Sequence, residues 1–228
     1  MKNGFAVAID GPAGSGKSSV AHVLSEKFNF IHFDSGACYR AVAYYFLSKG
    51  VHDIREIENS DLTSFIQLEY LNGFLYLNGK KTGEEIRTPD VSRFTSDIST
   101  KKRVRDFVTT SIRNMIKGQN VIMEGRDIGS VVLPNADLKI YLTATPVERA
   151  KRRLKEWKKN GEQIDLKEVV KEIEKRDQQD SNRSLAPLKP SRDAILLDTT
   201  SLSFHEVVNE ISRLILEKKG DSGYYKKS

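Results

Sequence analysis

Gly11-Pro12-Ala13-Gly14-Ser15-Gly16-Lys17-Ser18 meets the pattern G-x-x-x-x-G-K-[ST] at every position, and the reading of the remaining chain turns on it. Glycines at 11, 14 and 16 open backbone conformations closed to other residues, so successive N–H groups can face inward onto phosphate oxygens. Lys17 would reach the β- and γ-phosphates of a nucleotide, and the Ser18 hydroxyl would ligate the Mg²⁺ that bridges them. The flanks supply the context this needs. Phe5-Ala6-Val7-Ala8-Ile9 is an unbroken apolar run, as a strand covered on both faces requires. Val20, Ala21, Val23, Leu24 and Phe28 recur at helical spacing, so the loop, with Ser19 behind it, opens a helix whose N-terminus favours anions. The plain alternative, a glycine-rich turn that binds nothing, is disfavoured by the strand and helix legible on either side.

The 228 residues suffice for one sizeable α/β core with a small insertion, but hardly for a second full domain. A net charge of +6 and an isoelectric point near 9.2 suit polyanionic ligands without separating nucleotide from nucleic acid. The single cysteine, Cys38, excludes an intramolecular disulfide framework. No apolar run is long enough to cross a bilayer and residues 1–10 lack the form of a signal peptide, so a cytoplasmic protein with no membrane partner is expected. There is no repeat of fixed period. The low-complexity end, Lys218 to Ser228, reads as a mobile tail.

Ile31-His32-Phe33 is a second apolar run and ends in Asp34-Ser35-Gly36, a carboxylate and a hydroxyl where a strand would stop, which is where ligands bind in open α/β sheets. A helix over 35–49, with Ala37, Ala41, Val42, Tyr45 and Phe46 inward and Gly50 as its stop, carries Arg40, which either leans toward the site or faces water. Between 62 and 88 the texture changes. Gln67 to Leu71, Asn72-Gly73, Phe74 to Leu77 and Asn78-Gly79 read as antiparallel hairpin material, an insertion into a βα-alternating chain. Thr88-Pro89-Asp90 then caps a helix. In the next one Val104, Phe107, Val108, Ser111, Ile112, Met115 and Ile116 share a face up to Gly118, with Arg103, Arg105 and Arg113 elsewhere on its surface.

Val121-Ile122-Met123 runs directly into Glu124-Gly125-Arg126-Asp127, so Glu124 holds a Walker-B-like position with Arg126 and Asp127 beside it. A fourth strand, Leu138 to Leu142, precedes Thr145-Pro146-Val147-Glu148, which reads as a capping box. The helix behind it is densely basic (Arg149, Lys151, Arg152, Arg153, Lys155, Lys158, Lys159), a pattern that usually faces water. Past Gly161 another helix starts at Asp165 and Glu168 and leads to the charged segment Arg176 to Arg183. Ala194 to Leu197 is a fifth buried strand, and Ser203 with Glu206 caps the last helix. Short apolar strands joined by helices make a parallel sheet with right-handed crossovers.

Small-molecule kinases, GTPase switches and ATP-driven machines share such a loop. No Asn-Lys-x-Asp motif occurs and no D-x-x-G follows the 121–123 strand, which argues against a GTPase. A motor would need more modules, although the basic helix at 149–159 leaves a nucleic-acid-stimulated ATPase as the rival reading. Arg40, Arg126, Arg153, Arg176 and Arg183 are more arginines near strand and loop ends than one nucleotide demands, as when two polyanions must be brought together.

At Asp34-Ser35-Gly36-Ala37-Cys38-Tyr39-Arg40, Glu124-Gly125-Arg126-Asp127-Ile128-Gly129 and the run from Arg176 to Pro190, the chain closely resembles the bacterial cytidylate kinases, from about residue 5 to residue 216. The resemblance implies an α/β fold of P-loop NTPase type, a five-stranded parallel sheet with flanking helices. It also implies a core over 1–61 and 96–220, a short lid at about 150–165, an antiparallel β subdomain at 62–95 that binds the monophosphate, and a tail at 221–228. It implies transfer of the γ-phosphoryl of ATP to CMP or dCMP by a monomer, with Mg²⁺ and without nucleic acid. Gly11, Pro12, Ala13, Gly14, Ser15, Gly16, Lys17, Ser18 and Ser19 would hold ATP, and Ser18 and Asp34 the metal. Ser35, Arg40, Arg126 and Arg183 would hold the acceptor phosphate, Ser96, Arg105 and Asp127 would read cytosine, and Arg176 and Asp180 would hold the sugar. Lys17, Arg126, Arg183 and the lid residue Arg153 would act on the phosphates being exchanged. Ser15, Ser19, Cys38 and Ser130 stand where related sequences often carry alanine, threonine, a larger apolar residue and threonine. Cys38 reads as a small buried apolar side chain.

Overall fold

The structure is a computed structural model and describes residues 4–159 and 165–220, so the expected tail and most of the stretch around Gly161 lie outside the described residues. In chain order the elements are β1 (Ala6–Asp10), α1 (Lys17–Phe28), β2 (Ile31–Asp34), α2 (Ser35–Ser48), α3 (Ile54–Asn59), β3 (Leu68–Leu71), β4 (Phe74–Leu77) and β5 (Lys80–Lys81). They continue with α4 (Pro89–Ile98), α5 (Lys102–Met115), β6 (Val121–Gly125), β7 (Leu138–Thr143), α6 (Pro146–Lys159), α7 (Leu166–Ser181), β8 (Ile195–Asp198) and α8 (Phe204–Lys219). The chain divides into two compact units, one over residues 34–118 and the other over 4–33 with 119 onward.

The second of these is built on a five-stranded sheet of order β2-β6-β1-β7-β8. β1 lies in the middle, parallel to β6 through Ala6 opposite Val121 and to β7 through Val7 opposite Leu138. Its apolar run is covered on both faces: Val7 and Ile9 on one face are packed with Val20, Ala21 and Leu24 of α1 and with Val207, Ile211 and Ile215 of α8, and Ala8 on the other face is fully buried. Leu202 packs on the same core, and Ser203 with Glu206 forms a complete capping box as expected. The other expected box is half made. Glu148 N–H donates to Thr145 Oγ1 at 3.4 Å, but the Thr145 N–H goes to Thr200 Oγ1 and the Glu148 carboxylate takes Arg152. The fifth strand is not buried as expected. β8 is an edge strand paired only to β7, and Leu196 is 62% exposed. α7 continues to Ser181, so most of the charged segment from Arg176 is helical.

In the unit over 34–118, α2 packs on α4 and α5, burying Ala41, Val42 and Phe46 from one side and Phe94, Ile98 and Val108 from the others. α2 stops at Ser48, and Gly50 takes a φ of 73° just beyond it. The hairpin reading holds: β3 and β4 are antiparallel, and Asn72 (φ 53°) with Gly73 (φ 82°) makes the left-handed turn that Asn-Gly favours. β5 adds a third strand through Asn78-Gly79. Thr88 Oγ1 caps α4 by accepting from Val91 N–H. The six-residue α3 has too few turns for a period to register in sequence.

Candidate active site

The phosphate loop leaves the carboxyl end of β1 and enters α1 at Lys17, with Gly16 at the cap in left-handed conformation (φ 88°). Gly11 has no alternative: a Cβ built on it would fall 2.0 Å from the Leu142 carbonyl oxygen, at a φ of 153°. Lys17 lies folded onto its own loop, its Nζ donating to the Pro12 carbonyl at 2.7 Å and to Ser15 Oγ at 3.2 Å. Burial pushes its ammonium well below the usual lysine range, and the positive charge of Arg126 adds to the effect. The Ser18 hydroxyl donates to Glu124 Oε2 at 2.6 Å, and the other oxygen of Glu124 lies 3.1 Å from His32 Nε2. Glu124, at the end of β6, is thus the buried carboxylate that meets the metal-ligand candidate of the loop.

Past Glu124 the chain turns sharply. Asp10, the last residue of β1, accepts from Ile128 N–H at 2.8 Å with one carboxylate oxygen and from Gly129 N–H at 2.8 Å with the other. These bonds hold a wide helical turn over Ile128–Val132, closed by Val132 N–H onto the Asp127 carbonyl, and so seat Asp127, itself buried. Burial raises the Asp10 carboxyl to about 6 against the pull of those two amides. Asp180 on α7 has both oxygens taken by arginines: Arg126 Nε donates to Oδ2 at 2.9 Å and Arg183 pairs with Oδ1. Asp180, expected at the sugar, therefore also fixes the two guanidinium groups expected at the acceptor phosphate. The field of Arg176 reaches Lys17. Arg153, expected in the lid, lies on α6 and pairs with Glu172 of α7 at 3.5 Å.

Two members of the basic stretch do not face water as the charge pattern suggests. Arg149 is 4% exposed and donates to the Ala144 and Ala13 carbonyls and to Asp177. Arg152 donates to the hydroxyl and the carbonyl of Thr199. Asp10, His32, Arg87, Arg149 and Asp177 are residues at the site that sequence reasoning did not single out.

In the unit over 34–118, Ser35 begins α2 and is buried. Arg40 leans back onto Asp34, with Nη2 2.5 Å from Oδ2, and Arg87 stands 3.8 Å from the same oxygen. Burial would raise the Asp34 carboxyl, but these two cations hold it below the ordinary range. Arg105 is not on the surface as expected. It is 6% exposed, donates from Nη1 to the Ser99 carbonyl at 3.1 Å and lies 5.6 Å from the Tyr39 ring centre. Ser96, half-buried on α4, is 3.5 Å from the Ser92 carbonyl. Cys38 is fully buried, as expected, and burial pushes its thiol far up.

A glycine-rich loop on the central strand, a lysine and a serine at the head of the following helix and a carboxylate ending the neighbouring strand define a P-loop protein that binds nucleoside triphosphates. The family model described as cytidylate kinase matches residues 7–217. A cytidylate kinase of Thermosipho africanus is 45% identical over 212 residues, covering 93% of this chain and 95% of its own. That of Thermotoga maritima is 44% identical over 218 residues, covering 94% and 98%. Among solved structures, a shikimate kinase from Acinetobacter baumannii has a TM-score of 0.44 at 17% identity, over 95% of each chain. The chain belongs to the cytidylate kinase family.

Proposed function

We infer that this chain transfers the γ-phosphoryl group of ATP to CMP or dCMP, giving ADP and CDP or dCDP. The observation that carries this is a complete phosphate loop, with Ser18 on Glu124, in a chain that matches the cytidylate kinase family over residues 7–217. Among the described residues no helix is long and apolar enough to cross a membrane. We place the enzyme in the cytoplasm as a monomer, with residues 62–95 as the monophosphate-binding subdomain.

The second pKa of a nucleoside monophosphate is about 6, so the attacking oxygen is already deprotonated at neutral pH and no general base is needed. What remains is alignment and charge. The loop amides, Ser15 and Ser19 hold the donor phosphates, and Lys17, which here caps a loop carbonyl, exchanges that partner for phosphate oxygens. The Ser18 hydroxyl and the Glu124 carboxylate are hard oxygen donors of the kind Mg²⁺ takes, and with Asp34 engaged by two arginines, Glu124 would hold the ion beside Ser18. Bound there, Mg²⁺ would neutralise charge on the β- and γ-phosphates. Arg126 and Arg183, held by Asp180, and Arg40 with Ser35 bind the acceptor phosphate. Asp127, Arg105 and Ser96 read the base. Arg176 and Asp180 hold the sugar, and Arg153 acts on the transferring group.

Asp127 accepts from the cytosine amino group, whereas uracil would present a carbonyl there and leave buried polar groups unpaired. A coupled assay of ADP release tests the reading: release should require CMP or dCMP and fall off for UMP, AMP and GMP. Release that rises with added RNA or DNA and needs no monophosphate would replace it with a nucleic-acid-stimulated ATPase.

A further inference from the structure

Ala13 is 3% exposed and its peptide groups are held on both sides by a pair of residues to which the reaction as described assigns nothing. Its N–H donates to Asp177 Oδ1 at 3.1 Å, and its carbonyl accepts from Arg149 Nη1 at 2.8 Å. The same guanidinium meets Asp177 Oδ2 at 2.5 Å, closing a three-cornered arrangement of loop peptide, carboxylate and arginine. Arg149 is anchored in turn by its Nε, which donates to the Ala144 carbonyl at 2.9 Å. The helix carrying it presses on the loop as well: a Cβ on Gly14 would stand 3.0 Å from the Arg149 carbonyl oxygen. α6 and α7 are fastened to each other by Ala150, Val169 and Ile173.

We propose that Asp177 and Arg149 are positioning residues of the phosphate loop: they set the orientation of the Ala13 peptide, and they tie the loop to α7, the helix that also bears Arg176 and Asp180, so that donor and acceptor binding are coupled. Four features support this. The loop lies between β1 and α1, and its amides can cradle phosphate only if successive peptides keep one set of orientations. A carboxylate on the N–H side and a guanidinium on the C=O side of one residue hold both peptides that flank Ala13. Asp177 is next in sequence to Arg176, whose charge is felt at Lys17, so any movement of α7 on filling the acceptor site would move the carboxylate that grips the loop. The pair is buried on the arginine side, where its charge-assisted bonds are strong and their loss is felt.

The coupling rests on the cytidylate kinase reading, while the orienting role does not, and the test separates them. Binding of a non-hydrolysable ATP analogue to the full chain is measured by calorimetry with and without CMP, alongside KM and kcat for each substrate and the melting temperature. Asp177→Asn keeps an acceptor of the same shape but loses the charge. It should weaken the analogue about tenfold, raise KM for ATP, and bring the ratio of analogue affinities with and without CMP close to one, with the reciprocal loss of the analogue's effect on CMP binding. Arg149→Lys keeps the charge but cannot reach three carbonyl and carboxylate partners at once; it should do the same, and the double variant should be no worse than either single one. Wild-type analogue affinity in both single variants, or losses that simply add in the double variant, overturns the proposal. If analogue binding falls in the variants but CMP leaves it unchanged even in the wild type, the coupling is overturned and the orienting role stands. Absence of CMP-dependent ADP release in the wild type counts against the cytidylate kinase reading instead. Should Asp177→Asn fail to fold, Arg149→Lys and Asp177→Glu carry the same comparison.

Discussion

The Ser18 hydroxyl and the Glu124 carboxylate meet at 2.6 Å across 106 positions of sequence, joining the end of the phosphate loop to the end of the neighbouring strand. Glu124→Gln keeps the shape and one acceptor but removes the charge. Turnover should fall by about a hundredfold or more, and the Mg²⁺ concentration for half-maximal rate should rise at fixed ATP. A titration of rate against Mg²⁺ checks this; an unchanged midpoint would remove Glu124 from the metal site.

Gly11→Ala places a methyl group 2.0 Å from the Leu142 carbonyl oxygen at a φ of 153°. Neither backbone can retreat without disturbing β7. The variant should lose at least about 2 kcal/mol of stability, together with its affinity for ATP. Urea unfolding and analogue binding measure the two, and a melting curve like that of the wild type would contradict the contact.

Asp10 makes stability depend on pH with a definite sign. Its carboxyl titrates near 6 in the folded protein, against 3.8 ordinarily, because burial opposes the charge. Below about 4 it is protonated whether the chain is folded or unfolded. Between these values the folded protein keeps a proton that the unfolded chain has released, so its contribution to stability drains away as pH rises, by about 3 kcal/mol once both states are ionised. The stability of the wild type relative to Asp10→Asn should therefore decline by that order between pH 4 and 7. Urea unfolding across this range is the measurement, and a difference that stays flat would show that Asp10 titrates normally.

What was legible in the sequence had a local cause. The strands of the sheet are apolar runs, the hairpin has Asn-Gly at its turn, and the phosphate loop and the cap at Ser203 with Glu206 are contiguous patterns. What was not legible depends on partners far apart in the chain. Arg149 reads as one more cation in a basic helix, yet it is buried because Asp177, Ala13 and Ala144 receive its donors. Asp10 reads as the end of an apolar strand, and its task is set by Ile128 and Gly129, more than 100 positions away. Leu196 shows the converse: an apolar strand residue stays exposed because β8 forms the edge of the sheet, a fact of topology that composition does not carry.

Arg105 offers the sharpest test of base recognition. Its burial at 6% exposure, against the Ser99 carbonyl and beside the Tyr39 ring, fixes the plane of its guanidinium before any ligand arrives. A planar fork held in this way can present two parallel donors to the acceptor edge of cytosine, which a lysine cannot. Arg105→Lys should therefore retain charge but lower kcat/KM for CMP by about tenfold or more, and narrow the preference for CMP over UMP by a similar factor. Because the Ser99 carbonyl loses a donor, a stability loss of about 1–2 kcal/mol should accompany it, small enough to leave the protein folded. The comparison is made on CMP and UMP in the same preparation, with melting measured alongside. If both substrates lose the same factor, Arg105 supports the fold of its helix and does not read the base; if CMP alone suffers, the residue discriminates.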